Sequence, residues 1–189
     1  MTREDGKKAM GPEASLSRQE RERFDDNVLP YLDAAYNLAR YLLRDEHDAE
    51  EAVQEAFLRA MRHFGGFRGT DGRPWLLSIV RNVCFTQLGR RHAGGEAIEF
   101  DEEIHAREEE LSAPEADLAR VLAAESLRRG LEQLAPEFRE VLVLRELEEL
   151  SYKEIAHVIG APIGTVMSRL ARGRKQLLAA LGTPAVEDA

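Results

Sequence analysis

A single cysteine, Cys84, stands in the 189 residues, so no intramolecular disulfide framework can form. No apolar run is long enough to cross a bilayer or to serve as the hydrophobic stretch of a secretory leader, so the sequence reads as cytoplasmic, with no membrane insertion. Nowhere does the chain sustain the alternation of a strand, and no internal repeat is present. His47, His63, His92, His105 and His157 are scattered. With no His/Cys metal-ligand spacing, no glycine-rich phosphate cradle ahead of a helix and no nucleophile motif, neither a cofactor nor a metal is expected. An enzyme is the least supported class.

Positive charge is also in short supply, with a formal net charge of -9. The deficit is local, however. From Phe67 to His92 the cations Arg68, Arg73, Arg81, Arg90 and Arg91 meet one acid, Asp71. From Ser151 to Leu181, Lys153, Arg169, Arg172, Arg174 and Lys175 meet only Glu154. Between these stretches lies an acidic run, from Glu96 to Asp117, with Arg107 as its sole arginine. Two basic stretches suit phosphate contacts, and the acidic run repels them.

What is plentiful is helical periodicity. Residues 1–22 are polar without a sustained apolar period and read as a flexible N-terminal arm. Val28, Leu32, Ala35, Tyr36, Ala39, Leu42 and Leu43 then form one amphipathic stripe, and Ala49, Val53, Ala56, Phe57, Ala60 and Phe64 a second that begins after the potential cap Asp45. Gly65, Gly66, Gly69 and Gly72 interrupt the chain, and a third helix over 73–91 turns Leu76, Ile79, Val80 and Val83 inward. Cys84 lies in that pattern and reads as a structural thiol. The acidic segment 93–117 reads as a linker. A second domain over 118–182 begins with a helix carrying Leu118, Val121, Leu122, Leu127, Leu131 and Leu134, followed by one that starts at Pro136 and carries Phe138, Val141, Leu142 and Leu147; 183–189 reads as a tail. The expected fold is all-α, with two small helical domains joined by an acidic linker.

The stretch SYKEIAHVIGAPIGTVMSRLARGRK, residues 151 to 175, carries the sharpest local signal. Ser151 and Glu154 form a capping box that starts a helix with Ile155, Val158 and Ile159 on one face. Gly160 stops it, Pro162 suits the first turn of a second helix, and Val166, Leu170, Leu177 and Leu181 give that helix its apolar stripe. Two short helices across a glycine turn spell helix-turn-helix. Opposite the stripe, Thr165, Ser168, Arg169 and Arg172 recur at three- and four-residue spacing and are expected to point outward together. A solvated helical hairpin with ordinary surface arginines fits the same spacing, so context has to separate the two.

The context is the order of three motifs: DAEEAVQEAFLRAMRHFGGFRG at 48–69, RPWLLSIVRNVCFTQLGRR at 73–91 and LEELSYKEIAHVIGAPIGTVMSRLARGRKQL at 147–177. In this order they resemble a bacterial RNA polymerase sigma factor of the extracytoplasmic-function type, over roughly residues 24–92 and 118–181. The resemblance implies an alternative sigma factor that binds core RNA polymerase, recognises promoter DNA and directs initiation, often under the control of an anti-sigma factor. It implies that the acidic helix face of Asp48, Glu51, Gln54 and Glu55 docks on core polymerase. It assigns the promoter -10 element to the glycine-containing loop and the helix after it, with Phe67, Arg68, Arg73, Trp75, Arg81, Asn82, Arg90 and Arg91 as candidates. Trp75 also fits a core anchor. The -35 element falls to the helix-turn-helix, with Gly164, Thr165, Ser168, Arg169, Arg172 and Lys175 as candidates. Thr86 stands where the family usually has aspartate and Gly89 where arginine is common, two departures that bear on promoter preference.

The rival is a stand-alone helix-turn-helix regulator that uses its N-terminal domain for dimerisation or sensing. Such a regulator binds its duplex tightly alone, whereas a sigma factor acts on DNA together with core polymerase.

Overall fold

A computed structural model of the chain describes residues 17–93 and 115–182, which are helical with no strand among them. The N-terminal domain holds α1 (Arg18–Asn27), α2 (Leu32–Leu43), α3 (Glu46–His63) and α4 (Gly72–Ala93). The C-terminal domain holds α5 (Glu115–Glu132), α6 (Pro136–Leu142), α7 (Tyr152–Ile159) and α8 (Ile163–Ala180).

The expected arm of 1–22 is cut short, because α1 starts at Arg18. Its cap explains this: the amide of Glu20 donates to the Ser17 hydroxyl at 3.3 Å while the Glu20 carboxylate accepts from the Ser17 amide at 2.9 Å. Phe24 is its one buried residue, too sparse a stripe to read from periodicity. The linker is likewise trimmed at both ends, since α4 runs to Ala93 and α5 begins at Glu115; the rest of that segment lies outside the described residues.

α2 buries Ala34, Ala35, Leu38, Ala39, Leu42 and Leu43, so the stripe sits around Leu38, and Leu32 at its edge is 39% exposed. Full burial of a leucine contributes about 1.5–3 kcal/mol, which makes Leu38 and Leu42 the anchors of this helix. Asp45 caps α3 as expected, its carboxylate accepting from the Asp48 amide at 2.8 Å. α3 presents Ala49, Ala52, Ala56 and Ala60 inward, and these small side chains let α2 and α4 approach closely. Phe24, Phe57, Phe64, Phe67 and Trp75 form an aromatic cluster at one end, with Phe64 and Phe67 stacked at 5.5 Å and Phe67 and Trp75 tilted at 5.0 Å. Gly72 is fixed by closeness, since a Cβ there would lie 1.9 Å from the Asn27 carbonyl oxygen.

In the C-terminal domain Leu131, Leu134, Val141, Leu142, Val143, Leu144, Ile155, Val158, Val166 and Leu170 are buried, whereas Leu122 and Leu147, expected inward, are exposed. α6 passes into a π-helical turn over Val143–Leu147 that the period of the sequence does not reveal. Gly173 lies under α6, where a Cβ would come within 3.2 Å of Leu142.

The two domains pack on one another. α4 lies along α7, α2 meets α6, and the apolar residues of both domains form one cluster. The guanidinium of Arg139, 1% exposed, reaches across this boundary. It donates to the carbonyls of Tyr41 and Leu42 at the end of α2, and to those of Leu131, Glu132 and Leu134 in its own domain.

Candidate nucleic-acid and protein interfaces

The helix-turn-helix forms as its residues dictate. The Ser151–Glu154 box is closed on both sides, and Gly160 takes the left-handed conformation at φ 63° that ends α7. Hydrogen bonding to Ser151 holds the Glu154 carboxyl below the usual carboxylate range. Pro162 sits just before α8 instead of in its first turn, capping the chain with extended backbone. On α8, Val166, Leu170 and Gly173 face the domain interior, with Leu177 half-buried and Leu181 exposed at the edge.

The opposite face departs from the expected outward row. Ser168, Arg172 and Lys175 are exposed and Thr165 is half-buried, but Arg169 turns to α6, where its Nη1 donates to Glu140 Oε1 at 3.0 Å. Gly164 is exposed, and a Cβ there would meet nothing within 4 Å, so its bareness serves no packing inside the chain. It leaves the start of α8 open to a close external approach.

The basic stretch of the N-terminal domain divides in two. Arg68, Asn82 and Arg90 are exposed, with Arg68 donating to the Gly65 carbonyl at 2.6 Å. Arg73, Trp75 and Arg81 are half-buried on the side where α7 and α6 approach. Trp75 both packs against the core and lines a cleft of about 440 Å³ between the Gly66–Trp75 segment and the Lys153, Glu154 and His157 side chains of α7. Phe67, 6% exposed, is held within the aromatic cluster and does not offer its ring to solvent. Arg91 pairs with Asp48, which ties the end of α4 to the start of α3.

On the outer face of α3, Glu51 and Gln54 are exposed, while Asp48 and Glu55 are half-buried. Glu55 accepts from Arg59 at 2.6 Å, and this hydrogen bond holds its carboxyl below the usual range. The acidic face is therefore exposed at its centre, where His47 Nε2 lies 3.3 Å from the Glu51 carboxylate, and braced at its edges. Burial pushes the Cys84 thiol up to about 12, which keeps it protonated and fits a structural thiol.

Sequence reasoning missed the acceptors that meet the arginines. Glu140 is fully buried and receives Arg81 Nε at 2.6 Å and Arg81 Nη2 at 3.3 Å in addition to Arg169. The Arg81 guanidinium also lies 4.4 Å over the Phe85 ring. Glu148, 5% exposed, receives Arg73 Nη2 at 2.7 Å and Asn37 Nδ2 at 3.2 Å. A signal for Glu140 was present: a carboxylate inside the apolar run Phe138 to Leu144 demands a cationic partner. Which partner it takes is a tertiary matter.

The comparisons with known proteins bear on the same two domains. A family model described as sigma-70 region 2 matches residues 28–93, and one described as sigma-70, region 4 matches residues 124–177. The RNA polymerase sigma-H factor of Pseudomonas aeruginosa is 34% identical over 174 residues, which cover 88% of this chain and 90% of that protein. The ECF RNA polymerase sigma factor SigE of Mycolicibacterium smegmatis is 34% identical over 154 residues, covering 82% of this chain and 60% of that protein. In fold, the chain is similar to the sigma factor RpoE of Bartonella quintana, solved in complex with the anti-sigma factor NepR: TM-score 0.67, 24% identity, 89% of this chain and 100% of that one. Among the described residues no helix is long and apolar enough to cross a membrane.

Proposed function

The chain belongs to the sigma-70 family, among RNA polymerase sigma factors of the extracytoplasmic-function type, and from that premise we propose how its residues share the work of initiation. It is an alternative sigma factor that binds core RNA polymerase, recognises the -10 and -35 promoter elements and directs transcription initiation. It acts as a non-catalytic factor in the cytoplasm.

The observation that carries the assignment of residues is the open face of α8, where Ser168, Arg172 and Lys175 are exposed beside a glycine that packs against nothing. A helix entering the major groove needs such a face: a guanidinium to read a guanine edge, shorter polar groups for bases or phosphates, and a bare start where the DNA backbone comes close. Arg172 is the base-reading candidate, Lys175 the phosphate contact, and Thr165, Ser168 and Gly164 line the approach. Arg169 takes part once it leaves Glu140.

Opening the -10 element requires cations for the phosphates and aromatic surface for unstacked bases. Arg68, Arg73, Arg81, Asn82, Arg90 and Arg91 provide the polar side of this surface and Trp75 its aromatic side; Phe67 supports Trp75 from behind. The docking face for core polymerase is centred on Glu51 and Gln54, with Asp48 and Glu55 at its margins. By likeness to the sigma factor solved with NepR, a protein anti-sigma partner is part of this reading.

Charge reversal at Glu51 tests the docking face. Glu51→Lys changes an exposed side chain, so folding stability should move by no more than about 0.5 kcal/mol. Like-charge juxtaposition across an interface costs several kcal/mol, so core binding and initiation should fall sharply while circular dichroism stays unchanged. Normal core binding by the folded variant would remove α3 from the docking surface.

A further inference from the structure

The face of α8 assigned above to the -35 element carries apolar as well as polar groups. Met167 is 54% exposed, Ile163 is 40% exposed and Ala171 is exposed as well. At four-residue spacing these three form one apolar row along the helix. Each is followed in sequence by a member of the polar row, Gly164, Ser168 and Arg172. At about 100° per residue, Ala171 falls between Met167 and Ser168 around the helix axis, so the two rows make one continuous surface. Ile163 borders the buried stripe of Val166 and Leu170, whereas Met167 stands about a quarter turn away from it. The cation on the Met167 side, Arg174, is held by Glu146 through hydrogen bonds of 3.1 and 2.7 Å. Its charge is answered within the chain, while more than half of the Met167 side chain is left in solvent.

The base edges in the major groove offer hydrogen-bond donors and acceptors and a single apolar group, the C5-methyl of thymine. The residues that reach those edges are the ones at the start of a recognition helix, and Ile163 and Met167 are the first and fifth of α8. We propose that Met167 is a specificity-determining residue of the -35 contact: its side chain packs on the C5-methyl of a thymine, with Ile163 beside it, while Ser168 and Arg172 read the polar edges of neighbouring bases. The proposal rests on the assignment of α8 to the -35 element. The dimensions agree, since the row from Ile163 to Ala171 rises about 12 Å, the length of three to four base-pair steps of about 3.4 Å. Methionine suits the task because its unbranched stem has three rotatable bonds and adapts to an apolar partner. A methyl contact releases no counterion, so it adds selectivity without adding salt dependence.

The test uses holoenzyme reconstituted from the full chain and core polymerase, with a promoter duplex selected by run-off transcription. Each thymine of its -35 element is replaced in turn by deoxyuridine, which removes the methyl and keeps the base pair. At one position the replacement should weaken wild-type binding about fourfold, the factor for one buried methyl group. Met167→Ala should bind the unmodified duplex more weakly by at least that factor, with its salt slope unchanged, and should lose nothing further on the same replacement. Met167→Leu restores apolar surface and should regain sensitivity to the methyl. Both variants change an exposed side chain, so their unfolding midpoints should match the wild type. Wild-type binding that requires the element yet ignores every methyl in it would overturn the contact. So would a Met167→Ala variant with full wild-type sensitivity to the methyl, or a selected element without an A·T pair. Holoenzyme that binds equally with and without the -35 element would instead remove the reading of α8 on which the proposal rests, and the proposal with it.

Discussion

Arg139 Nη1 donates to the carbonyl of Tyr41 at 2.8 Å, joining residues 98 apart in the chain. The C-terminal end of α2, where carbonyls lack partners within their own helix, is thus satisfied by a cation from the other domain. Burial, with a smaller contribution from nearby Arg44, pulls the Arg139 pKa down to about 9, yet the side chain stays charged at neutral pH with backbone oxygens on every nitrogen. Arg139→Met keeps the stem and strands the carbonyls, so it should cost at least about 1–3 kcal/mol, the penalty for a buried acceptor left unsatisfied. Thermal or urea unfolding followed by circular dichroism measures this; a loss below 1 kcal/mol would mean that water replaces the guanidinium.

Gly72 is held by space. A methyl group there would lie 1.9 Å from the Asn27 carbonyl oxygen, a backbone atom that cannot swing aside. Gly72→Ala should therefore cost at least the 1–3 kcal/mol of ordinary overpacking, roughly, by forcing α1 off the start of α4. Gly89, where a Cβ would meet nothing within 4 Å, is the matched control, and Gly89→Ala should leave stability unchanged or raise it by up to about 1 kcal/mol. Equal unfolding midpoints for the two variants would contradict the crowding at Gly72.

How far the sequence carries can be seen from these residues. The Ser151–Glu154 box, the left-handed Gly160 and the Asp45 cap are local devices, and each was legible because cap chemistry is written within a few residues. The stripe of α2 was shifted because alanines score weakly as core while filling it well, as Ala34 does. The burial of Phe67, a candidate for the -10 surface, was not legible because it depends on Phe64 and Trp75 arriving from separate elements. Arg169 has the spacing of an outward residue and is turned inward by Glu140, 29 residues earlier. Ion pairs of this kind have no period, so the closed arrangement of the two domains was invisible to pattern reading.

The capping box of α7 gives a pH signature. The Glu154 carboxyl is held below its unfolded value of 4.5 by hydrogen bonds from Ser151, so its contribution is complete above about pH 4.5 and is lost as pH falls through the lower folded value. Ser151→Ala should cost about 1 kcal/mol at pH 7. That difference from wild type should shrink as pH falls below 4.5 and the wild-type box takes up its proton; a difference independent of pH would separate Glu154 from the cap.

Arg172 is exposed on α8 and free of the Glu140 pairing that complicates Arg169. Arg172→Ala should cost about 1–3 kcal/mol in holoenzyme binding to a promoter with its -35 element, through loss of a bidentate guanine contact. Binding to a template lacking that element should hardly change. Equal losses on both templates would assign Arg172 to phosphate or to folding.

The central claim is that this chain confers promoter recognition on core polymerase. Run-off transcription with purified core polymerase and a promoter library measures it directly. The account predicts discrete transcripts from a subset of templates sharing -10 and -35 elements, present only when chain and core are combined. Tight duplex binding by the chain alone, with no new transcript when core polymerase is added, would contradict it and leave a stand-alone regulator.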